Sequence, residues 1–313
     1  MALDWTELAC TYSIVARDAT TGQLGVAVQT HQMGVGRVVG WLLPGVGAVA
    51  TQSMTNVSYG PMALAMLREG VAAPRVLDAL TATDPDAHRR QAAVVDAQGR
   101  AAAWTGRGCI PEAAHHMGSG YSVQANMMIH PTVVGAMAAA YEAASGDLAQ
   151  RMLAALRAAQ AEGGDIRGMQ SAALKVVPGD AYKPAWAADY DLRVDEHAGP
   201  VAELGRLVRL RHAQIIDRAG QALFEAGQVE EALARWAAAR AEAPELEELA
   251  FWQAVTLADA GADATAAARL FDATLAQDPR RAQWIELVRR LARCGLIQRA
   301  GAAEELLTAL GEE

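Results

Sequence analysis

Residues 11–30 read Thr11-Tyr12-Ser13-Ile14-Val15-Ala16-Arg17, then Asp18-Ala19-Thr20-Thr21-Gly22-Gln23, then Leu24-Gly25-Val26-Ala27-Val28-Gln29-Thr30. Two runs of β-branched and apolar residues flank a turn made of Asp, Thr and Gly, which predicts a pair of antiparallel strands. Two further strands are predicted over 35–43 and 46–51, so the segment is read as a four-stranded meander. A hydroxyl residue, Thr11, heads its first strand. Such a residue can serve as a nucleophile, and cleavage that freed its α-amine would give it a base of its own.

Beyond the meander, Gly60-Pro61 opens a predicted helix and Pro74 a second, which ends near Asp84-Pro85. The runs 92–96 and 101–105 enclose Gln98-Gly99 and predict a hairpin. A glycine-rich loop is expected over 106–120, and 123–129 fits either a strand or a helix start. Helices are expected over 133–141 and 148–162, then a strand over 170–177. Strands, two helices, strands, two helices and a last strand suit an α+β fold. Two antiparallel sheets flanked by helices, a four-layer α-β-β-α sandwich over 11–180, would account for the order.

From about residue 201 the strand signals end and Ala, Leu, Glu and Arg dominate. Gly227, Gly261 and Gly295 recur every 34 residues, each at the turn between two predicted helices. Ala219, Ala232, Ala250 and Ala266 stand where paired helices must approach closely. The period resembles the tetratricopeptide repeat, although the Trp-Leu-Gly-Tyr pattern is degraded. An all-α helical-repeat domain is expected over 213–313. The segment 181–212 is read as a connector, with Tyr182, Trp186 and Tyr190 at four-residue spacing docking onto a neighbouring domain.

Bulk properties exclude several classes. The 313 residues carry a net charge of −9 and are 52% hydrophobic, which argues against a broad nucleic-acid surface. The long uncharged stretch between Arg37 and Arg68 holds Gln52, Asn56, Pro44 and several glycines, so no membrane partner is expected. Residues 1–10 contain Asp4 and Glu7 and no basic start, unlike a secretory signal; the expectation is a cytoplasmic protein. Cys10, Cys109 and Cys294 fit neither a zinc pattern nor a disulfide framework. His115 and His116 are adjacent, so their side chains diverge; no metal and no cofactor is expected. Phosphate-loop and dinucleotide fingerprints are missing, and Gly118-Ser119-Gly120 lacks the setting of an esterase elbow.

The stretches 11–18, 25–31, 45–52, 59–61 and 163–174 together resemble the bacterial family known as domain of unknown function 1028. The resemblance covers just over half of the chain. That family is similar to the N-terminal nucleophile hydrolases, the proteasome-like fold, which implies the sandwich inferred above. It also implies Thr11 as nucleophile. Ten residues precede Thr11 here, so residues 1–10 are read as a leader or propeptide whose removal at Cys10–Thr11 would release the amine. The resemblance implies a basic residue near the third strand that lowers the nucleophile's pKa, a place taken by Arg37. Where the fold usually offers a carboxylate, this chain has His31 at the end of the second strand.

Ser13 shares the face of Thr11 by the period of two. Gln52 and Asn56 are candidates for oxyanion donors, since amides donate without adding charge; for Asn56 the competing role is capping the next helix. Asp165, Arg167, Gln170 and Ser171 converge where a helix ends and a strand begins, a corner that lies beside the nucleophile in the resembling fold. An Asp165–Arg167 ion pair that merely orders the loop is the plain alternative. Arg90-Gln91 and Gln124 with Asn126 are further polar candidates for a ligand pocket. The expectation is an N-terminal-nucleophile-type amidohydrolase acting on a small amide or peptide-like substrate, with a protein partner or self-association through the helical repeats. The rival is a non-catalytic scaffold.

Overall fold

The computed structural model describes residues 11–312 and the backbone of residues 8–9. The rest of the expected leader, including the residue before Thr11, lies outside the described residues. Two compact units divide between Val208 and Arg209.

The first unit is a mixed α+β structure with two antiparallel sheets. One joins β1 (Leu8–Ala9), β4 (Gly40–Leu43), β5 (Gly47–Met54), β6 (Arg90–Asp96) and β7 (Ala101–Thr105). In it, β1 and β4 lie end to end along one edge of β5. The other sheet has the order β11-β10-β3-β2-β9-β8. Its strands are β2 (Thr11–Arg17), β3 (Leu24–Thr30), β8 (Ala114–Gly118), β9 (Tyr121–Ala125), β10 (Ser171–Val177) and β11 (Tyr190–Val194). Val15, Val26 and Val28 of this sheet meet Ala48, Ala50 and Val95 of the other in one buried cluster.

Helices α1 (Tyr59–Arg68) and α2 (Ala73–Thr83) cover the outer face of the first sheet, closing on Val49, Ala92 and Val94. Helices α3 (Val133–Ala143) and α4 (Leu148–Ala161) cover the second sheet; the Tyr12 hydroxyl of β2 donates to Gln160 of α4 at 2.9 Å. Asp147 caps α4 by accepting from the Gln150 N–H, with Gln150 returning the bond in a capping box.

Three elements differ from the sequence reading. Residues 35–37 form a 3₁₀ turn, and the strand starts only at Gly40. Gly34 there has a φ of 71°, so the chain bends sharply before the apolar run can extend. The expected loop over 106–120 contains the edge strand β8, which the polar pair His115-His116 conceals. The expected connector contains β11, paired with β10 along its length, and the start of α5 (Pro200–Glu225). Tyr182 and Trp186 are 99% and 83% exposed, so of the three spaced aromatics only Tyr190 is buried.

The second unit is helical. After α5 come α6 (Val229–Glu242), α7 (Glu247–Asp259), α8 (Ala264–Leu275), α9 (Arg281–Arg293) and α10 (Ala302–Ala309). Gly227, Gly261 and Gly295 take φ of 78°, 78° and 75°, a left-handed conformation that ends a helix cheaply only without a Cβ. Trp236, Phe251, Phe271, Ile285 and Leu306 fill its core. No helix among the described residues is long and apolar enough to cross a membrane.

Candidate functional site

Strand alternation decides what lies between the sheets. On β2 the inward positions begin Thr11, Ser13, Val15; only the third is apolar. Facing strands make the same exchange at the same end. Gln52 occupies the inward row of β5, its register partner Gln91 that of β6, and Gln124 stands opposite Ser13 on β9. All of these side chains are buried.

They satisfy one another. Ser13 donates from Oγ to Gln52 Oε1 at 2.6 Å and accepts from Gln124 Nε2 at 2.6 Å. Gln52 Nε2 donates to Gln91 Oε1 at 2.7 Å and to the Thr11 carbonyl at 3.1 Å. Gln91 Nε2 donates to Thr105 Oγ1 at 2.9 Å and to the carbonyls of Ala114 and Ala125. Asn126 donates from Nδ2 to Gln91 Oε1 at 2.9 Å, and its main-chain N–H donates to the Thr11 carbonyl at 3.1 Å. Ser122 adds a bond to Gln124, and Thr105 touches His115 Nδ1 at 2.9 Å. Burial, and the charge of neighbouring His116, hold the His115 pKa below its ordinary value. Such a network stitches the two sheets together at one end of the layer and fixes the carbonyl of Thr11 from two sides.

The backbone around this network is strained. Ser53 and Met127 are the non-glycine residues with positive φ among those described, at 69° and 60°, and each directly follows a network residue. Such a conformation costs on the order of 1–2 kcal/mol per residue. Asn126 Oδ1 and both polar ends of Gln29 are buried without a hydrogen-bond partner among the described residues. One further feature sets Thr11 apart: β1 belongs to one sheet and β2 to the other, with a single residue between them. The chain therefore changes sheet between Ala9 and Thr11.

The expected residues fall into three groups. Thr11, Ser13 and Gln52 come together in the buried network. Asp165, Arg167 and His31 gather at the adjoining strand ends. Thr30 stands in register with Thr11 on one side and Ser171 on the other, and Arg167 Nη2 lies 3.5 Å from Thr30 Oγ1. Asp165 is spoken for: it accepts from Arg167 Nε at 3.0 Å, Nη2 at 2.7 Å and N–H at 2.9 Å, and from the His31 N–H at 3.3 Å. It is the keystone of the 163–171 loop. His31 itself is exposed, with Nδ1 3.3 Å from the Met169 carbonyl.

Asn56, Arg37, Gln170 and Ser171 do other work. Asn56 donates to Asp84 and accepts from the Ser58 N–H, ordering the turn that leads into α1. Arg37 is exposed in the 3₁₀ turn rather than on a strand. The Gln170 N–H and carbonyl bond Thr30 and His197, and Ser171 Oγ holds the Gln32 carbonyl and the Val35 N–H. Arg90 clasps the Met54 carbonyl and pairs with Asp84. Thr105 and Ser122 went unnoticed in the sequence. Their signal is polar residues at inward positions of otherwise apolar strands, which requires knowing which face is inward.

The family of unknown function DUF1028 matches residues 11–204. The crystal structure of protein SPO2555 from Silicibacter pomeroyi, assigned to DUF1028, is similar to this chain with a TM-score of 0.58 and 31% identity. The likeness covers 64% of this chain and 84% of that one. No curated protein matches.

Proposed function

The chain belongs to the DUF1028 family, and on that premise we propose that it is a cytoplasmic amide hydrolase of the N-terminal-nucleophile type, latent until Thr11 becomes a chain terminus. The observation that carries this is the position of Thr11: it heads β2 in the middle of a sheet, at the polar end of the layer between two sheets, one residue after the chain has left the other sheet. Helices flanking two face-packed sheets support the sandwich expected of such hydrolases.

The chemistry follows from one residue. With residue 10 removed, the Thr11 α-amine takes the proton from its own Oγ as that oxygen attacks the substrate's amide carbon. The C–N bond breaks, the amine product leaves with the proton, and water hydrolyses the Thr11 ester. Gln52 and Asn126 act as positioning residues, because Gln52 Nε2 and the Asn126 main-chain N–H hold the Thr11 carbonyl while both side chains also donate to Gln91. The helical unit, with its turn glycines 34 residues apart, is read as tetratricopeptide-like and as the surface for a protein partner or for self-association.

One observation favours a second reading. Thr11 and Ser13 are both 0% exposed, as expected of a sandwich that has lost catalysis and serves as a scaffold. Intact mass and N-terminal sequencing of the purified protein separate the two. A mature chain starting at Thr11 that hydrolyses amides, and loses that activity at least a thousandfold in Thr11→Ala, supports the hydrolase. A chain that retains residues before Thr11, with any hydrolysis unchanged in Thr11→Ala, supports the scaffold.

A further inference from the structure

The layer between the sheets has a second polar feature at the opposite edge of the six-stranded sheet, where β11 is the outermost strand. A cavity of about 240 Å3 opens there, floored by Val26, Val28, Leu42 and Ala173. Ala173 and Val177 of β10 belong to the inter-sheet core, so Lys175 between them points to the same side. In register with these inward positions stand Asp191, opposite Lys175, and Arg193, opposite Ala173. Arg37 joins them from the covering 3₁₀ turn.

Gly36 and Gly40 let that covering segment lie directly on the second sheet. A Cβ on Gly36 would stand 2.8 Å from Ala173 Cβ, and one on Gly40 3.0 Å from Val26 Cγ1. One wall of the cavity is therefore fixed by backbone contact.

The charges do not balance. Asp191 takes Lys175 at 3.0 Å and Arg193 at 3.6 Å. Arg37 has no acidic partner among the described residues. Three cations thus face one carboxylate above an apolar floor. Two guanidinium groups are suited to bidentate recognition of an oxyanion. Ligand pockets of about 300–1,000 Å3 are usual for drug-sized molecules, so this smaller one suits a small metabolite and excludes a nucleotide.

We propose that this cavity binds a small organic anion, a carboxylate carried on a compact apolar body, with Arg37 and Arg193 on the carboxylate and the Val26–Leu42 floor under the rest. The site stands apart from Thr11 and does not depend on the processing of the chain.

Benzoate is the probe, titrated into the purified full chain and followed by calorimetry and by methyl chemical shifts. Inorganic phosphate tests charge alone and benzyl alcohol tests the apolar body alone. Saturable benzoate binding that shifts the methyls of Ala173 and Leu42 is expected, with both controls at least tenfold weaker. The Arg37→Gln/Arg193→Gln variant should weaken benzoate at least tenfold, and Lys175→Met, which keeps the stem of the side chain, should weaken it less. Unchanged thermal unfolding certifies that the variants fold.

Benzoate that fails to saturate, phosphate that binds as well, or a double variant with undiminished affinity each overturns the proposal. Inward charges on an edge strand also discourage edge-to-edge pairing of sheets. Variants that self-associate, in a protein that never bound benzoate, would mean the charges serve that end instead.

Discussion

The sheet unit and the helical unit both close around apolar cores, yet they differ in the polar groups they bury. In the helical unit Gln253 is the buried polar side chain among the described residues; every other one lies in the sheet unit. Gln253 bridges Asp217, to which it donates at 2.6 Å, and Arg240. Burial raises the Asp217 pKa against the opposing pull of these partners. In the sheet unit Ser13, Gln52, Gln91, Ser122, Gln124 and Asn126 bond to one another, in a single patch from Thr11 to Thr105. Neither helices nor strands need such a patch, because their main-chain groups are satisfied within the element. A buried amide without partners costs about 1–3 kcal/mol, and two strained residues add to that. The polar end of the sandwich is therefore an expense that folding alone does not explain, and the two units teach where in the chain to look for function.

The sharpest way to break this contrast is to remove one hub from each unit. Gln91 Nε2 shares its two hydrogens among Thr105 Oγ1 and the carbonyls of Ala114 and Ala125, and Oε1 accepts from Gln52 and Asn126, so Gln91→Leu takes a partner from all of these groups at once. A loss of about 3 kcal/mol is expected from several buried groups left unpaired, read from urea unfolding curves. Gln253→Leu should cost roughly half as much, since Asp217 and Arg240 are partly hydrated and can approach each other. Equal losses would mean that the polar layer is ordinary packing.

A smaller effect depends on pH. Burial works against the charge of Asp84, but the Arg90 guanidinium, the Asp86 N–H, Asn56 and the Tyr59 hydroxyl outweigh it and hold the carboxyl at about 2, from 3.8. A carboxyl depressed on folding stabilises the folded state fully above its unfolded pKa and loses that contribution as pH falls through the folded one. Wild type should therefore exceed Asp84→Asn by about 1–2 kcal/mol at pH 6, allowing for solvent screening. The gap should close between pH 4 and about 2. No comparable acid step is expected for Asp217, whose pKa moves the other way. A gap that persists at pH 2 would show that Asp84 acts through shape rather than charge.

Much of this was legible in the sequence because it rests on short periods. The strands 11–17 and 24–30 match the expected bounds, since alternation and the Asp-Gly turn act locally. The 34-residue spacing marked the turn glycines for the same reason. What escaped depends on tertiary placement. The 3₁₀ turn at 35–37 is held by Ser171 Oγ from a strand far along the chain, and β8 and β11 are edge strands whose polar faces mask their period. Within the candidate site, Thr11, Ser13 and Gln52 lie together because they share inward rows. Arg37 lies in a 3₁₀ turn where a strand was expected, because a residue type suited to a role says nothing about where its strand begins. Gln91 could be noticed only as a weak polar candidate, and its central position appears once both sheets are in place.

The smallest predicted effect sharpens the helical side of the contrast. Gly227 and Gly295 take nearly the same φ, 78° and 75°, and a Cβ added at either would meet nothing within 4 Å. Gly261, also at φ 78°, would bring its Cβ only into ordinary contact with Arg299 Cδ at 3.6 Å. With no steric clash, substitution by Ala carries only the conformational penalty of the left-handed region, about 1 kcal/mol. The three Gly→Ala variants should therefore be destabilised by the same amount within error. Asn, which tolerates this region, should recover part of each loss. In the sheet unit Gly45 also has positive φ, 61°, but its added Cβ would stand 2.2 Å from the Ala181 main-chain nitrogen, so Gly45→Ala must cost more than any of the three. Unequal losses among Gly227, Gly261 and Gly295 would mean that the common spacing hides different local structures, and would count against the proposed repeat.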